Sequence, residues 1–181
     1  IKVSVAANPS PTYVRAREQT ISPSLSSAGA RAALVREGKG AMHDFEGTAR
    51  EMLSLYPGVA TLQLAPDGII RSSMPLAGNE KALGHDLLSD PTRNKEAFLA
   101  RETGKLTLAG PFELKQGGVA AIGRLPVFLP RPDGSRSFWG FTTAMLRFPE
   151  VLEVAGLQNL LREGYQYELS RIHPDTGQKQ I

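Results

Sequence analysis

The sequence predicts an α+β fold in which one antiparallel sheet packs against helices, and three observations predict it. Apolar residues recur at three- and four-residue steps between Met42 and Tyr56, which is the pattern of an amphipathic helix. Two short apolar runs flank the turn Pro66-Asp67-Gly68, which is typical of a β-hairpin. Three further strand candidates follow Gly104 as a group, and grouped strands favour an antiparallel sheet.

The first forty residues carry the weakest pattern. Three prolines interrupt it, and the polar stretch from Ser22 to Ser27 is typical of a break or linker. Short helices are expected at 12–20 and 28–37, neither with a strong apolar face. We therefore treat residues 1–40 as a separate N-terminal segment whose structure the sequence leaves undetermined.

The central region, residues 41–146, begins with the most regular elements. A helix over 41–56 ends at Pro57-Gly58, because proline cannot continue a helix and glycine ends one readily. The hairpin strands are then expected at 59–64 and 69–74. Residues 75–90 lack periodicity and are expected to form a loop.

A second helix is expected to begin at Asp90-Pro91, with Asp90 or Ser89 as the N-cap. It ends at Gly104, which fits the glycine position that follows a helix C-terminus. Three strands follow, at 105–109 with an extension towards 114, at 119–128 and at 138–146.

Residues 147–181 are expected to add a helix over 149–161 and two strands, at 165–172 and from 178 onward, around the turn Pro174-Asp175-Thr176-Gly177. We interpret this part as the start of a second, truncated unit. The predicted organisation is thus an N-terminal segment 1–40, a core 41–146 and a partial unit 147–181.

Composition excludes several function classes. The 181 residues carry 21 basic and 18 acidic side chains, and a scattered excess of three charges argues against a nucleic-acid surface. The absence of cysteine excludes disulfides, thiolate metal sites and a cysteine nucleophile. No nucleotide-binding, hydrolase or metalloprotease motif is present, so no catalytic activity, metal or cofactor is predicted.

No apolar run approaches the roughly 20 residues that a membrane-spanning helix needs. The sequence starts at Ile1 and carries no signal peptide. We expect an excised segment of a longer protein, whose flanking membrane spans lie outside this chain.

Five short motifs occur in the central region in a fixed order. They are Tyr56-Pro57-Gly58-Val59, the stretch from Leu83 to Arg93, the stretch from Ala100 to Lys105, the stretch from Leu108 to Leu114, and Leu125-Pro126-Val127-Phe128. None is specific alone, but together they resemble the CHASE domain over residues 41–146. The turn Pro66-Asp67-Gly68 and Gln116-Gly117-Gly118 are similar to the bacterial branch. CHASE domains usually open with one long helix, from which the predicted break at 22–27 departs.

The resemblance implies a PAS-like sensor fold, in which a loop and a helix cover a pocket on the sheet. CHASE domains are extracytoplasmic sensor modules of plant cytokinin receptors and of many bacterial histidine kinases and diguanylate cyclases. The resemblance therefore implies a small-molecule ligand, a periplasmic location at the inner membrane, and a homodimer in the full receptor.

It also implies two site residues. In the plant members a pocket Asp accepts hydrogen bonds from an N6-substituted adenine, and a strand Leu contributes main-chain groups. These positions correspond to Asp86 and Leu108, and Gly110 belongs to the same strand motif. A carboxylate in an enclosed apolar pocket is a strong acceptor for ligand N–H groups. The alternative is that Asp86 only caps the turn at residues 87–89.

Four more residues are candidates for the ligand site, each with a structural alternative. Gln63 is polar on an apolar strand, where alternation would also let it face solvent. Arg124 interrupts a strand and would pair with a ligand carboxylate or lie on a solvated face. Gln116 lies in a hairpin loop near the predicted pocket mouth, or is an ordinary loop residue. Thr103 aligns with a threonine important in the plant receptors, or only ends the helix.

The function hypothesis is a ligand-binding sensor domain of a bacterial membrane receptor. A single carboxylate predicts purine-like or amine ligands, whereas Arg124 in the pocket would favour zwitterions such as amino acids. One alternative is a dimerisation or interaction module whose pocket is filled by its own side chains. The other is a small hydrolase that uses His85 and Asp86.

Overall fold

A computed structural model of the chain describes residues 2–7, 22–91, 94–113, 118–148, 150–154, 162, 165–172 and 178–180. The strands are β1 (Lys2–Ala7), β2 (Val59–Pro66), β3 (Ser72–Met74), β4 (Thr107–Glu113), β5 (Val119–Pro130), β6 (Arg136–Phe148), β7 (Tyr165–Ile172) and β8 (Lys179–Gln180). The helices are α1 (Ser22–Glu37), α2 (Phe45–Leu55), α3 (Lys95–Thr103) and α4 (Glu150–Val154), with a 3₁₀ turn at Glu80–Ala82.

Strands β2 to β6 form one antiparallel sheet in the order β3-β2-β6-β5-β4. The hairpin and the three-strand group predicted from the sequence therefore join in a single sheet, and the α+β prediction is confirmed. The second hairpin strand is shorter than predicted. Ile69 forms an isolated bridge with Asp86 instead of continuing into β3.

One face of the sheet packs against α1 and α2, and we call it the α1/α2 face. Helix α1 lies over β5 and β6 and buries a stripe at i, i+3, i+4 and i+7 spacing. The members of this stripe are Ala28, Arg31, Ala32 and Val35. Because two of the four are alanines and one is a charged residue, the apolar signal of α1 in the sequence is weak.

The break predicted at residues 22–27 is wrong, because α1 begins at Ser22 and continues to Glu37. Pro23 stands in the first turn, where the missing N–H removes no hydrogen bond from the helix. The polar residues that suggested a linker are thus the start of a helix that later packs through small side chains.

The opposite face lies beneath α3 and the preceding loop, and we call it the α3 face. We call residues 75–91 and 94–103 the cover. Ala97 and Ala100 of α3 pack with Leu87 of the loop and with Ala65 and Phe141 of the sheet. Small residues on α3 let the helix approach the sheet closely, and this arrangement is the predicted loop and helix over one sheet face.

The start of α3 differs from the prediction. The helix begins at Lys95 rather than at Asp90-Pro91, with Asn94 at the N-cap position. The residues before it are held by the loop, because the Leu87 N–H donates to Gly68 O and the Asn94 side chain donates to Leu88 O. The helix ends as predicted at Gly104, which has a φ of 69°.

Strand β1 was not anticipated from the sequence. It pairs with β7, and β7 pairs with β8, in a second antiparallel sheet of three strands. The helix predicted over 149–161 is described as α4 over Glu150–Val154, and 155–161 lie outside the described residues. The division of the chain into an N-terminal segment, a core and a partial second unit, with boundaries at residues 40 and 146, stays a prediction.

Within the described ranges, no helix is both long enough and apolar enough to cross a bilayer.

Arg31 is the unusual member of the α1 stripe because its side chain is fully buried. Its Nη2 donates to the carbonyl oxygen of Thr143 on β6 at 2.6 Å. Its Nε and Nη1 have no acceptor among the described residues. Burial removes the guanidinium from water and lowers the pKa of Arg31 to about 9. The charged form is therefore more costly in the folded state than in the unfolded state at neutral pH.

We predict that Arg31→Met keeps the free energy of unfolding or raises it by about 1 kcal/mol, because an apolar side chain of similar length carries no desolvation cost. Arg31→Ala should instead lower it by about 2 kcal/mol or more, since truncation leaves a cavity under α1. Urea denaturation at pH 7 measures both. A loss of several kcal/mol in Arg31→Met would show that the charge itself stabilises the fold.

Candidate ligand-binding site

The α3 face carries a row of polar side chains across all five strands. Antiparallel register places Ser73 opposite Gln63, Gln63 opposite Thr143, Thr143 opposite Arg124, and Arg124 opposite Thr107. Residues directly opposite each other in an antiparallel pair point to the same face. We call these five residues the polar row.

The alternation of side chains along β2 and β6 decides which face of the sheet the polar row occupies. Ala65 and Phe141 pack under the cover, and Gln63 and Thr143 lie two residues from them on the same strands. Because side chains alternate along a strand, Gln63 and Thr143 also point towards the cover. The row is therefore on the α3 face, where the sequence-based hypothesis expects a ligand.

Four members of the polar row are buried, and Thr107 at its β4 end is partly buried. The exposed fractions are 4% for Gln63, 1% for Thr143 and 1% for Arg124. Buried polar groups are costly unless they are hydrogen-bonded, so a row of them in the interior has to be organised by its own bonds.

Hydrogen bonds link one end of the row to the start of the cover. The Thr143 hydroxyl donates to Gln63 Oε1 at 3.1 Å, and Gln63 Nε2 donates to Ser73 Oγ at 3.5 Å. The Ser73 hydroxyl donates in turn to Pro75 O at 3.5 Å. Asn79 also donates to Pro75 O, at 3.0 Å. The loop at 75–79 is thus hydrogen-bonded to the end of the row through Pro75 O.

The other end of the row is linked to α3. The Thr107 hydroxyl donates to Glu96 O at 2.7 Å, in the first turn of that helix. Both parts of the cover, the loop and α3, are therefore hydrogen-bonded to side chains of the polar row. A molecule that replaces bonds in the row would act on the cover directly.

Arg124 gives the row its charge. A buried guanidinium offers planar, bidentate donors, which match a carboxylate or another oxyanion. Together with the amide of Gln63 and the hydroxyls of Thr143 and Ser73, it forms a set of donors and acceptors suited to a polar small molecule. The structure therefore brings together two of the predicted site residues, Gln63 and Arg124.

Asp86 lies at the far edge of the sheet from β4. Its backbone pairs with Ile69, which lies in the connection between β2 and β3. Its Oδ1 accepts the N–H of Leu88 at 2.8 Å and of Ser89 at 3.3 Å. This is the geometry of the turn-capping alternative, and the carboxylate is half-buried.

Leu108 is not near Asp86. Strand β4 is three strand positions from β2, which corresponds to about 14 Å between backbones. The Leu108 side chain packs against the α2 cluster with Leu62 and Ala144, on the α1/α2 face. The two residues that correspond to the plant ligand contacts are therefore not brought together, and their role in binding stays a prediction.

A family model for the CHASE domain matches residues 25–180, which include most of α1, the five-stranded sheet, and strands β7 and β8. The chain belongs to the CHASE family. CHASE domains are extracytoplasmic sensor domains, and this chain is a sensor domain. The match extends beyond the 41–146 over which the motifs resemble the family, and its start at residue 25 agrees with the continuous α1.

A solved structure described as an extracellular ligand binding receptor from Desulfohalobium retbaense has a similar fold, with a TM-score of 0.57 and 15% sequence identity. The similarity covers 74% of this chain and 24% of that one, so the chain spans about a quarter of that receptor's length. At this identity the likeness shows the fold alone. No curated protein matches the chain.

Two further predicted site residues of this CHASE domain, Gly110 and Thr103, lie apart from the polar row. Gly110 is buried in a bulge of β4 with a φ of 100°, and a Cβ there would come within 2.9 Å of Ala120 O. Thr103 is exposed, and its hydroxyl donates to Leu99 O at the end of α3. Gln116 lies outside the described residues.

Sequence reasoning missed Ser73, Thr107 and Thr143 of the row. Each is a small hydroxyl residue in a predicted strand, a type found on both faces of sheets. Thr142 and Thr143 are adjacent, so alternation assigns one to each face without saying which. The structure resolves this, because Phe141 packs under the cover and Thr143 lies two residues from it on β6, opposite Gln63.

The rival hydrolase assignment rested on His85 and Asp86. His85 Nε2 lies 4.0 Å from Asp90 Oδ2, and the Oδ1 of Asp86 accepts backbone N–H groups. The part of the chain that the structure describes holds no group of three His, Asp or Glu side chains suited to a metal ion.

We predict that Gln63→Met and Thr143→Val each lower the free energy of unfolding by about 1–3 kcal/mol, because each leaves a buried partner without its hydrogen bond. The double variant should lose clearly less than the sum of the two. Urea denaturation of the four proteins measures this coupling. Additive losses would mean that the bond between the two side chains does not organise the row.

We predict that Asp86→Ala lowers the free energy of unfolding by about 1 kcal/mol, because the turn at 87–89 loses its acceptor. Asp86→Asn keeps a side-chain oxygen and should retain most of the stability. Thermal and urea denaturation of both variants measure the effect. Unchanged stability in Asp86→Ala would contradict the capping role and favour a role in ligand recognition.

Proposed function

We propose that this CHASE domain is the periplasmic ligand-binding part of a bacterial transmembrane receptor, either a histidine kinase or a diguanylate cyclase or phosphodiesterase. The ligand binds on the α3 face, between the polar row and the cover. The observation that carries the proposal is the buried polar row itself, with Gln63 and Arg124 beneath a cover that is hydrogen-bonded to both of its ends.

The cover is built to move relative to the sheet. Its loop consists of turns and one 3₁₀ turn, and residues 76–78 are exposed. Its anchorage combines the buried residues Leu87, Ala97 and Ala100 with the bonds to Pro75 and Glu96. Exposed turns with few buried apolar contacts open at lower free energy than core strands.

The donors in the row define the ligand class. Arg124 supplies a cation, while Gln63 and Thr143 supply an amide and a hydroxyl. We propose a small zwitterion such as an amino acid, whose carboxylate meets Arg124, and keep a substituted purine as the second ligand class. The purine class depends on Asp86 as the acceptor of ligand N–H groups.

Signalling follows from differential affinity. A ligand that replaces the row's own hydrogen bonds binds one arrangement of the cover better than the other, and this difference shifts the equilibrium between them. In the full receptor, proposed to be a homodimer, the change would pass to an output domain outside this chain. The structural similarity to an extracellular ligand binding receptor supports this class of function.

A second candidate function is a dimerisation or interaction module whose pocket is filled. The bonds from Thr143 to Gln63 and from Gln63 to Ser73 favour it, because this part of the row is satisfied by its own members and needs no ligand. The two candidates differ in one measurable property, which is stabilisation by small molecules.

We predict that a thermal-shift screen of amino acids and purines against this domain finds a ligand that raises the melting temperature, because binding only the native state stabilises it by mass action. Arg124→Met should weaken an amino acid about a hundredfold or more and leave a purine almost unaffected. Isothermal titration gives both affinities.

Arg124→Lys serves as the control, because it keeps the positive charge and removes the planar pair of donors. If no amino acid or purine stabilises the protein, the filled-module function is favoured. Binding of dianions alone, if Arg124→Met abolishes it, would contradict both ligand classes.

A further inference from the structure

A groove lies at the edge of the main sheet, away from the middle of the polar row. Strand β4 pairs with β5 only as far as Arg124, so residues 125–130 of β5 have β6 on one side and no described strand on the other. The C-terminal ends of α1 and α3 flank this edge. Together they enclose a groove of about 630 Å³, which is within the range of small-molecule sites.

Three arginines from three different elements converge on the groove. They are Arg36 of α1, Arg101 of α3 and Arg136 of β6, and Glu102 is the one acidic residue among the described residues of the lining. Within the described residues none of these guanidinium groups has a carboxylate within 4.0 Å. The lining thus carries a formal excess of two positive charges.

Aromatic rings hold two of the guanidinium groups in place. The central carbon of Arg101 lies 5.1 Å from the ring centre of Phe138, and that of Arg136 lies 5.9 Å from the ring centre of Phe128. The two rings pack edge to face at 5.7 Å. A cation–π contact positions an arginine without using its N–H donors, so these donors stay available to an anion.

The prolines of the groove limit what can occupy it. Pro126 and Pro130 belong to the open edge of β5 and lack the N–H that an added strand would need. With Phe128 they form an apolar wall beside the cations. The groove is therefore suited to a compact molecule with an apolar body and negative charges, rather than to an extended peptide.

We propose that this groove is a second ligand site, for a small organic dianion with an apolar body, either a dicarboxylate or a phosphate monoester. The guanidinium groups of Arg101 and Arg136 bind the oxyanions, and Pro126 and Phe128 contact the body. The site does not depend on the sensor function proposed for the polar row. Because Thr103 and Gly104 line it, the occupant contacts the end of the covering helix.

Phthalate and phenyl phosphate are the probes, titrated separately into the isolated domain and followed by backbone amide chemical shifts. We expect saturable shifts of Thr103, Gly104 and Phe128 with at least one probe, and the responding probe separates carboxylate from phosphate recognition. Dimethyl phthalate, which lacks the charges, and inorganic phosphate, which lacks the body, should bind at least about tenfold more weakly.

Arg101→Gln/Arg136→Gln should weaken the responding probe about a hundredfold, since each lost charged hydrogen-bond donor costs about tenfold. Arg50→Gln/Arg71→Gln is the matched control, because both arginines are exposed, lie outside the groove and give the same change in net charge. Arg124→Met should leave the probe's affinity unchanged, which separates this site from the polar row.

Three results with the probes and variants would overturn the proposal. They are the absence of saturable shifts with both probes, equal losses in the groove variant and the control variant, and equal affinity for inorganic phosphate. Binding of an acidic peptide in place of both probes would overturn it as well, because it would make the groove a protein-interaction surface.

Discussion

The register between β2, β6 and β5 is the constraint on which the rest of this CHASE domain depends. It places Gln63, Thr143 and Arg124 side by side. A shift of one residue in any of these strands would turn a member of the polar row towards α1 and α2, and would turn an apolar residue such as Leu64 towards the cover. The apolar clusters on the two faces hold that register, because helices pack against each face through them.

Much of the fold could be predicted because several of its elements are determined by local sequence patterns. The helix α2 at Phe45–Leu55, the turn at Asp67-Gly68 and the end of α3 at Gly104 each depend on a few neighbouring residues. The second half of α1 was expected as a short helix at 28–37, but its first turns were taken as a break, because the buried stripe consists of two alanines, a valine and Arg31 and the helix is stabilised by docking rather than by an apolar pattern. Strand β1 was missed because its partner β7 lies more than 150 residues away.

The candidate site was only partly predictable for the same reason. Gln63 and Arg124 stood out as polar interruptions of apolar strands. Thr107 and Ser73 did not, because their importance depends on bonds to Glu96 O and Pro75 O across the fold. The groove could not be predicted at all, since Arg36, Arg101 and Arg136 are ordinary surface residues until three elements bring them together.

Thr143 connects the two faces of the sheet. On the α1/α2 face its carbonyl oxygen accepts from the buried guanidinium of Arg31. On the α3 face its hydroxyl donates to Gln63, and its neighbour in register is Arg124. Close-packed interiors transmit small displacements rather than absorbing them. A change in the polar row that moves β6 at this position therefore also changes the contact that holds α1, the helix that precedes the whole sensor core.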